Sequence, residues 1–322
     1  MVSRRVHGAA LLAAAFLLSA PAASQTYPSK PVRIVVPSAP GGGSDIAART
    51  LAPQLGQALR GQVLVDNRPG PSGNVAAETV AKAPADGYTL LLATSTLAIN
   101  PALMPKLSYD SARDFVPVGA VMSAPLVLLV PPSLQVKSVK ELLAFAKTQP
   151  RGLKYGYSGT GSADRLCGEL FAKVAGLTAA GVPYKDEAQS GRPVLVPDIH
   201  YAFAGVAHAV PHVKAGQARA LAITTARRYP LLPAVPALSE THPGFEFPVW
   251  QALLAPARTP PAVLRQIELA VMKAMDNKEV VERLTAHGLQ PVATTPEELR
   301  AFLPREIARW NALVRESNVR TE

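Results

Sequence analysis

Cysteine is nearly absent from this chain of 322 residues: Cys167 stands alone, so no internal disulfide can form and the fold must rest on its apolar core. Aromatic residues are scarce at 6%, and the Lys and Arg residues form no run longer than pairs such as Arg227-Arg228. Both features count against a base-stacking or phosphate-tracking nucleic-acid surface, although the chain carries a formal charge of +10. Removing Arg4 and Arg5 with the leader leaves +8, a basic surface that mildly attracts anions. Gly-Lys-Ser/Thr occurs nowhere, which excludes a Walker loop, and H-E-x-x-H is missing as well. Charged residues make up only 17% and hydrophobic ones 48%, a balance that supports a sizeable core and not disorder.

Long apolar runs are also lacking, with one exception at the start. Arg4 and Arg5 precede AALLAAAFLLSA, and small residues in PAASQ follow, which is the order of a secretory signal peptide. The run is shorter than the roughly 20 residues that span a bilayer. The expectation is a leader over residues 1–24, a mature start near Gln25, and export to the periplasm.

What is present is a rhythm. VRIVVP, VLVDN and TLLLATS read as strands, separated by the helical patterns DIAARTLAPQLGQAL and NVAAETVAKA. This alternation implies a parallel α/β sheet covered on both faces. FVPVGAVMSAPLVLLVPP then breaks the pattern as two extended segments with Met122 to Pro125 between them, as expected of a crossing into a second lobe. There the rhythm resumes with SVKELLAFAKTQ, LKYGYS, SADRLCGELFAKVAG, AGVPY, HYAFAG, VAHAVPHVKAG and ARALAITT. Three helical patterns follow from Pro260, the last opened by a Thr295/Glu298 capping box. The expected organisation is a discontinuous first lobe, 25–123 plus 227–322, and a second lobe, 124–226. Two open α/β lobes place the carboxyl ends of their strands across a shared cleft.

Three strand-to-helix turns could meet a ligand there. Pro40, Gly41, Gly42, Gly43, Ser44 and Asp45 lie between the first strand and first helix. Glycine amides at the positive end of a helix dipole suit a carboxylate, and they equally suit a plain tight turn. The spacing fails the dinucleotide fingerprint, which needs a glycine near Ile46. Ser158, Gly159, Thr160, Gly161 and Ser162 repeat the design in the second lobe. Thr94, Ser95 and Thr96 are read as a loop after the third strand, offering hydroxyls to a ligand or ordinary capping. Catalytic sets are missing: Cys167 falls on an apolar helical stripe, and His208 and His212 flank Pro211 without an acidic third ligand, so neither metal nor cofactor is expected.

These stretches resemble the Bug-type receptors of the tripartite tricarboxylate transporter. The likeness runs through YPSKPVRIVVPSAPGGGSDIAAR, VLVDNRPGPSGNVAAETVAKAPADGYTLLLATSTLAINPAL, YSGTGSADRLCGELF, AGVPYK and PGFEFPVWQALLAPARTP, in order over nearly the whole mature chain. It implies a two-lobed type II periplasmic-binding fold with two crossing segments. It also implies a small carboxylate held by backbone amides and hydroxyls, often through water, by a monomer that serves integral membrane permease subunits. Pro40 to Asp45, Thr94 to Thr96, Ser158 to Ser162 and Tyr184 match the family's ligand-facing loops. The chain departs from the family over Asp186 to Asp198, and at Ala204, where relatives often place an Asp at a strand end. Those departures favour a plain carboxylic acid over an amino acid, or a receptor that has lost binding. A periplasmic sensor feeding a membrane kinase and a secreted hydrolase are the other readings, the latter lacking a nucleophile–base pair. From sequence, Gly42→Asp is expected to abolish carboxylate binding with the fold intact, checked by calorimetry.

Overall fold

A computed structural model describes residues 27–104, 106–158, 162–184, 199–292 and 294–317. The expected leader, Gly159 to Gly161 and the stretch at 185–198 lie outside them. The first part runs β1 (Val32–Val36), α1 (Gly43–Leu59), β2 (Val63–Asn67), α2 (Asn74–Ala81), β3 (Thr89–Thr94) and α3 (Thr96–Leu103). Both β2 and β3 pair parallel with β1, as the alternation requires. Alternate strand residues enter two cores: Val32, Ile34, Leu90 and Leu92 on one face, Val35, Leu91 and Ala93 on the other. This double cover explains why these strands are continuously apolar.

One expectation changes here. Thr96 opens a helix and not a loop, because Leu97, Ala98, Ile99 and Leu103 form a buried helical stripe. The FVPVGAV and PLVLLV segments, read as a crossing strand, are joined in one strand, β4 (Phe115–Val130), of 16 residues. At about 3.3 Å per residue it is roughly 50 Å long, enough to serve both halves of the molecule.

Next come α4 (Val139–Ala146), β5 (Leu153–Tyr157), α5 (Ala163–Val174), β6 (Ala179–Pro183), β7 (Tyr201–Gly205), α6 (Val206–Lys214) and β8 (Arg219–Ile223). Ser138 caps α4 by accepting from the Glu141 amide, as its position predicts. The chain returns through β9 (Pro248–Pro256), a strand that periodicity did not reveal, and closes with α7 (Pro261–Met275), α8 (Lys278–Ala286), β10 (Gln290–Pro291) and α9 (Pro296–Ser317). Strand order is β2-β1-β3-β9-β4-β7-β5-β6, with β8 and β10 also on β4.

Register then fixes which ends meet. β9 is antiparallel to both β3 and β4, so β3 and β4 run the same way, and Thr94 reaches the level of Gln251 and hence Met122. β7 is antiparallel to β4, and its last residue, Gly205, sits opposite Leu126. β5 runs parallel with β7. The carboxyl ends of β1 and β3 therefore point toward those of β5 and β7 across Met122 to Leu126. At that waist the Thr224 hydroxyl accepts from the Leu126 amide (2.9 Å) and donates to the Phe247 carbonyl (2.8 Å), pinning the outgoing strand to the returning one.

Thr224 is fully buried, so removing its hydroxyl orphans an amide and a carbonyl. Thr224→Val is expected to lose about 2 kcal/mol of stability in urea unfolding, and Thr224→Ser well under half of that. Equal losses for the two variants would contradict the pin.

Candidate functional site

The turn after β1 is shaped by one carboxylate. Asp45, in the first turn of α1 and almost wholly buried, accepts from the Gly41 amide (2.9 Å), from Arg49 Nε (2.9 Å) and from Asn67 Nδ2 (2.9 Å). Asn67 also donates to the Ser38 carbonyl (3.0 Å), tying the end of β2 to the end of β1. Burial pushes the Asp45 carboxyl up, but hydrogen bonds from Arg49, Gly41 and Asn67 outweigh it and hold the group below its usual range. Its charge is thus matched by Arg49.

The Gly42 amide donates to the Ala39 carbonyl (3.1 Å), and Gly41 sits at φ +84, a conformation that favours glycine. The amides of Gly43, Ser44 and Asp45, the first turn of α1, have no acceptor among the described residues. A Cβ on Gly43 would meet open space, whereas one on Gly42 would strike Ser38 at 2.9 Å. Gly42→Asp therefore requires Ser38 to shift, so it does not test binding free of local strain, and Gly43 is the position at which charge can be added without a clash.

Buried polar atoms without a partner gather at the same strand ends: the hydroxyls of Ser38 and Ser95, Gln251 Oε1 and Trp250 Nε1. Ser95 is fully buried, held by its amide to the Trp250 carbonyl (3.1 Å). Gln251 Nε2 donates to the Ser44 hydroxyl (3.0 Å), bridging the β9 strand to the turn. Such groups are usually paired in proteins, by protein atoms or by ordered water. Thr94 and Thr96 share a hydrogen bond of 2.7 Å, and Pro40 is exposed at the rim.

The opposing turn repeats the chemistry. Asp164, in the first turn of α5, accepts from the Ser158 amide (2.8 Å) and hydroxyl (3.0 Å), and Ser162 caps the helix by accepting from the Arg165 amide (3.4 Å). Tyr184 is half-buried just after β6, its amide donating to the Tyr157 carbonyl (2.8 Å). Ala204 is a correction. It lies inside β7 opposite Val127, with its methyl in the apolar core, so it faces no ligand loop. Cys167 is fully buried, and burial together with nearby Asp164 pushes its thiol up, away from nucleophilic use. The His212 ring is engaged with Gln217 (2.8 Å), and no group of three or more His, Cys, Asp or Glu among the described residues could hold a metal.

Against known proteins, the model of the "Tripartite tricarboxylate transporter family receptor" matches residues 46–319. The chain belongs to this receptor family. Protein BugT of Bordetella pertussis is 36% identical over 306 residues, spanning 94% of each chain. The solved structure of R. palustris Rpa4515 with adipate has a TM-score of 0.86 at 34% identity, covering 92% of this chain and all of that one. MatC (Rpa3494) from Rhodopseudomonas palustris, with bound malate, has a TM-score of 0.82 at 29% identity, covering 89% and 100%. The two-lobed periplasmic-binding fold expected from the sequence is thus that of the receptor family's solved members. The family is a class of solute-binding receptors.

Asn67, Ser38, Gln251, Trp250 and Asp164 were not singled out from the sequence. The readable signal was a polar residue ending or interrupting an apolar strand, as Asn67 does in VLVDN and Gln251 in VWQALLA.

Asp45→Asn is expected to cost about 2 kcal/mol at pH 7, because it removes a charge-assisted pair from a buried site. A depressed carboxyl contributes fully above the unfolded value of about 3.9, and the contribution is lost as pH falls through the lower folded value. Urea unfolding of both proteins should show a gap that is constant from pH 7 to 5 and narrows below pH about 4. A gap that widens on acidification would contradict the assignment.

Proposed function

We propose that this chain is a periplasmic receptor that captures a small carboxylate between two lobes, 25–123 plus 227–322 and 124–226, and delivers it to integral membrane permease subunits. One observation carries the reading. Unpaired amides of Gly43, Ser44 and Asp45 and orphaned hydroxyls of Ser38 and Ser95 lie just past the carboxyl ends of β1 and β3, which point across Met122 to Leu126 toward the carboxyl ends of β5 and β7 in the other half. Unpaired donors at a helix N-terminus, beside a carboxylate already paired by Arg49, favour negative charge. The net positive charge of the chain favours the encounter with an anion.

The relatives support the ligand class, since one holds adipate and another malate. The match to a transporter receptor supports delivery to a permease over the sensor reading. Periplasmic residence rests on the leader at 1–24, and no helix among the described residues is long and apolar enough to cross a membrane. Closure is a hinge motion driven by the ligand's preference for the closed state, and the Leu126–Thr224–Phe247 waist is the natural place for the hinge.

A thermal-shift screen of the mature protein against organic acids tests the proposal. A bound acid at a hundredfold excess over its Kd should add roughly 2.7 kcal/mol of apparent stability, and no response to any acid would refute carboxylate binding. Gly43→Asp should weaken the best acid on the order of 100-fold or more, because like charges about 4 Å apart near a protein surface repel by about 4 kcal/mol. Unchanged affinity in calorimetry would remove the turn from the site.

A further inference from the structure

Gln251 is an anomaly in its surroundings. It interrupts the apolar strand β9, is 6% exposed, and points to the same face of the sheet as Leu253 and Ala255, against α1. A glutamine is costly there unless both ends of its carboxamide are used. One end is used: Nε2 donates to the Ser44 hydroxyl at 3.0 Å. The other, Oε1, is buried and has no protein donor. It belongs to the carboxamide that is bonded to Ser44, a residue of the first turn of α1 whose own amide, like that of Gly43, is unpaired.

The two ends have different consequences. By occupying a lone pair of the Ser44 oxygen, Nε2 leaves the serine hydrogen to be donated elsewhere, so Ser44 joins the neighbouring amides as a donor toward a carboxylate. Oε1 can only accept. A carboxylate offers it nothing and repels it; an O–H on the carbon next to the carboxylate satisfies it. A turn that supplies donors for a carboxylate and one buried acceptor beside them has the polarity of a 2-hydroxy acid.

We infer that Gln251 is a specificity-determining residue, and that the site favours 2-hydroxy carboxylates over the same acids without the hydroxyl. The inference rests on the reading of the α1 turn as the carboxylate site. Sites built to hydrogen-bond a ligand O–H discriminate strongly against analogues that lack it, because the protein group is then left unpaired.

The experiment compares matched pairs on the mature protein by calorimetry: lactate with propionate, malate with succinate, citrate with tricarballylate, mandelate with phenylacetate. For the pair whose body fits, the hydroxy acid should bind at least about tenfold more tightly. In Gln251→Met, which keeps the volume and removes the acceptor, that ratio should fall to about one, with folding checked by circular dichroism. In Ser44→Ala both members of the pair should weaken together with the preference retained. Equal binding of hydroxy and deoxy acids by the unaltered protein overturns the inference whatever the variants do. So does a preference that survives in folded Gln251→Met. Failure of every acid to bind the unaltered protein is a different result: it removes the carboxylate reading itself.

Discussion

A single strand imposes the architecture. Because β4 runs unbroken from Phe115 to Val130, the first half of the molecule and the second share one sheet. Because β9 enters antiparallel between β3 and β4 while β7 lies antiparallel on the far part of β4, the two sets of parallel strands run in opposite directions. Their carboxyl ends are thereby turned toward one another. In open α/β sheets ligands bind at strand carboxyl ends, so one strand direction, set once, decides where a guest can be held. The apolar side chains of β4 enter the cores on both faces of the sheet and so anchor the strand on either side of the waist.

The turns at those ends solve an electrostatic problem in the same way twice. The helices that follow β1 and β5 each carry an aspartate in the first turn, Asp45 in α1 and Asp164 in α5, and each carboxylate folds back to hold the start of its own loop. A carboxylate so placed stabilises the helix and the turn but threatens to repel an anionic ligand. At Asp45 the neighbouring Arg49 matches the charge, and the remaining first-turn amides stay unpaired. Loop rigidity and anion affinity are in this way compatible on one helix end.

Much of this was legible in the residues. The strand–helix alternation up to Thr94, the second series from Ser138 to Ile223, the capping of α4 by Ser138 and the three terminal helices all follow from periodicity and capping chemistry. The glycine turn was legible as a strand-to-helix junction, though not the division of labour within it, because the fold of a carboxylate onto its own loop depends on partners, Arg49 and Asn67, that only the folded chain brings together. β9 escaped notice since a short apolar run between prolines has no helical or strand period of its own, and α3 since Thr and Ser at its start read as a loop. Ala204 was misplaced for a related reason: a strand end is defined by its pairing, and pairing puts that residue one position inside the sheet.

The most direct test of the account is a titration of the isotopically labelled mature protein with a bound organic acid, followed by amide NMR shifts. The account predicts that the largest changes fall on Gly43, Ser44 and Asp45, with a second set on the amides around Ser158 and Ser162 in the opposing turn. An acid that binds saturably while those amides stay unmoved, with the shifts gathered elsewhere on the molecule, would contradict it.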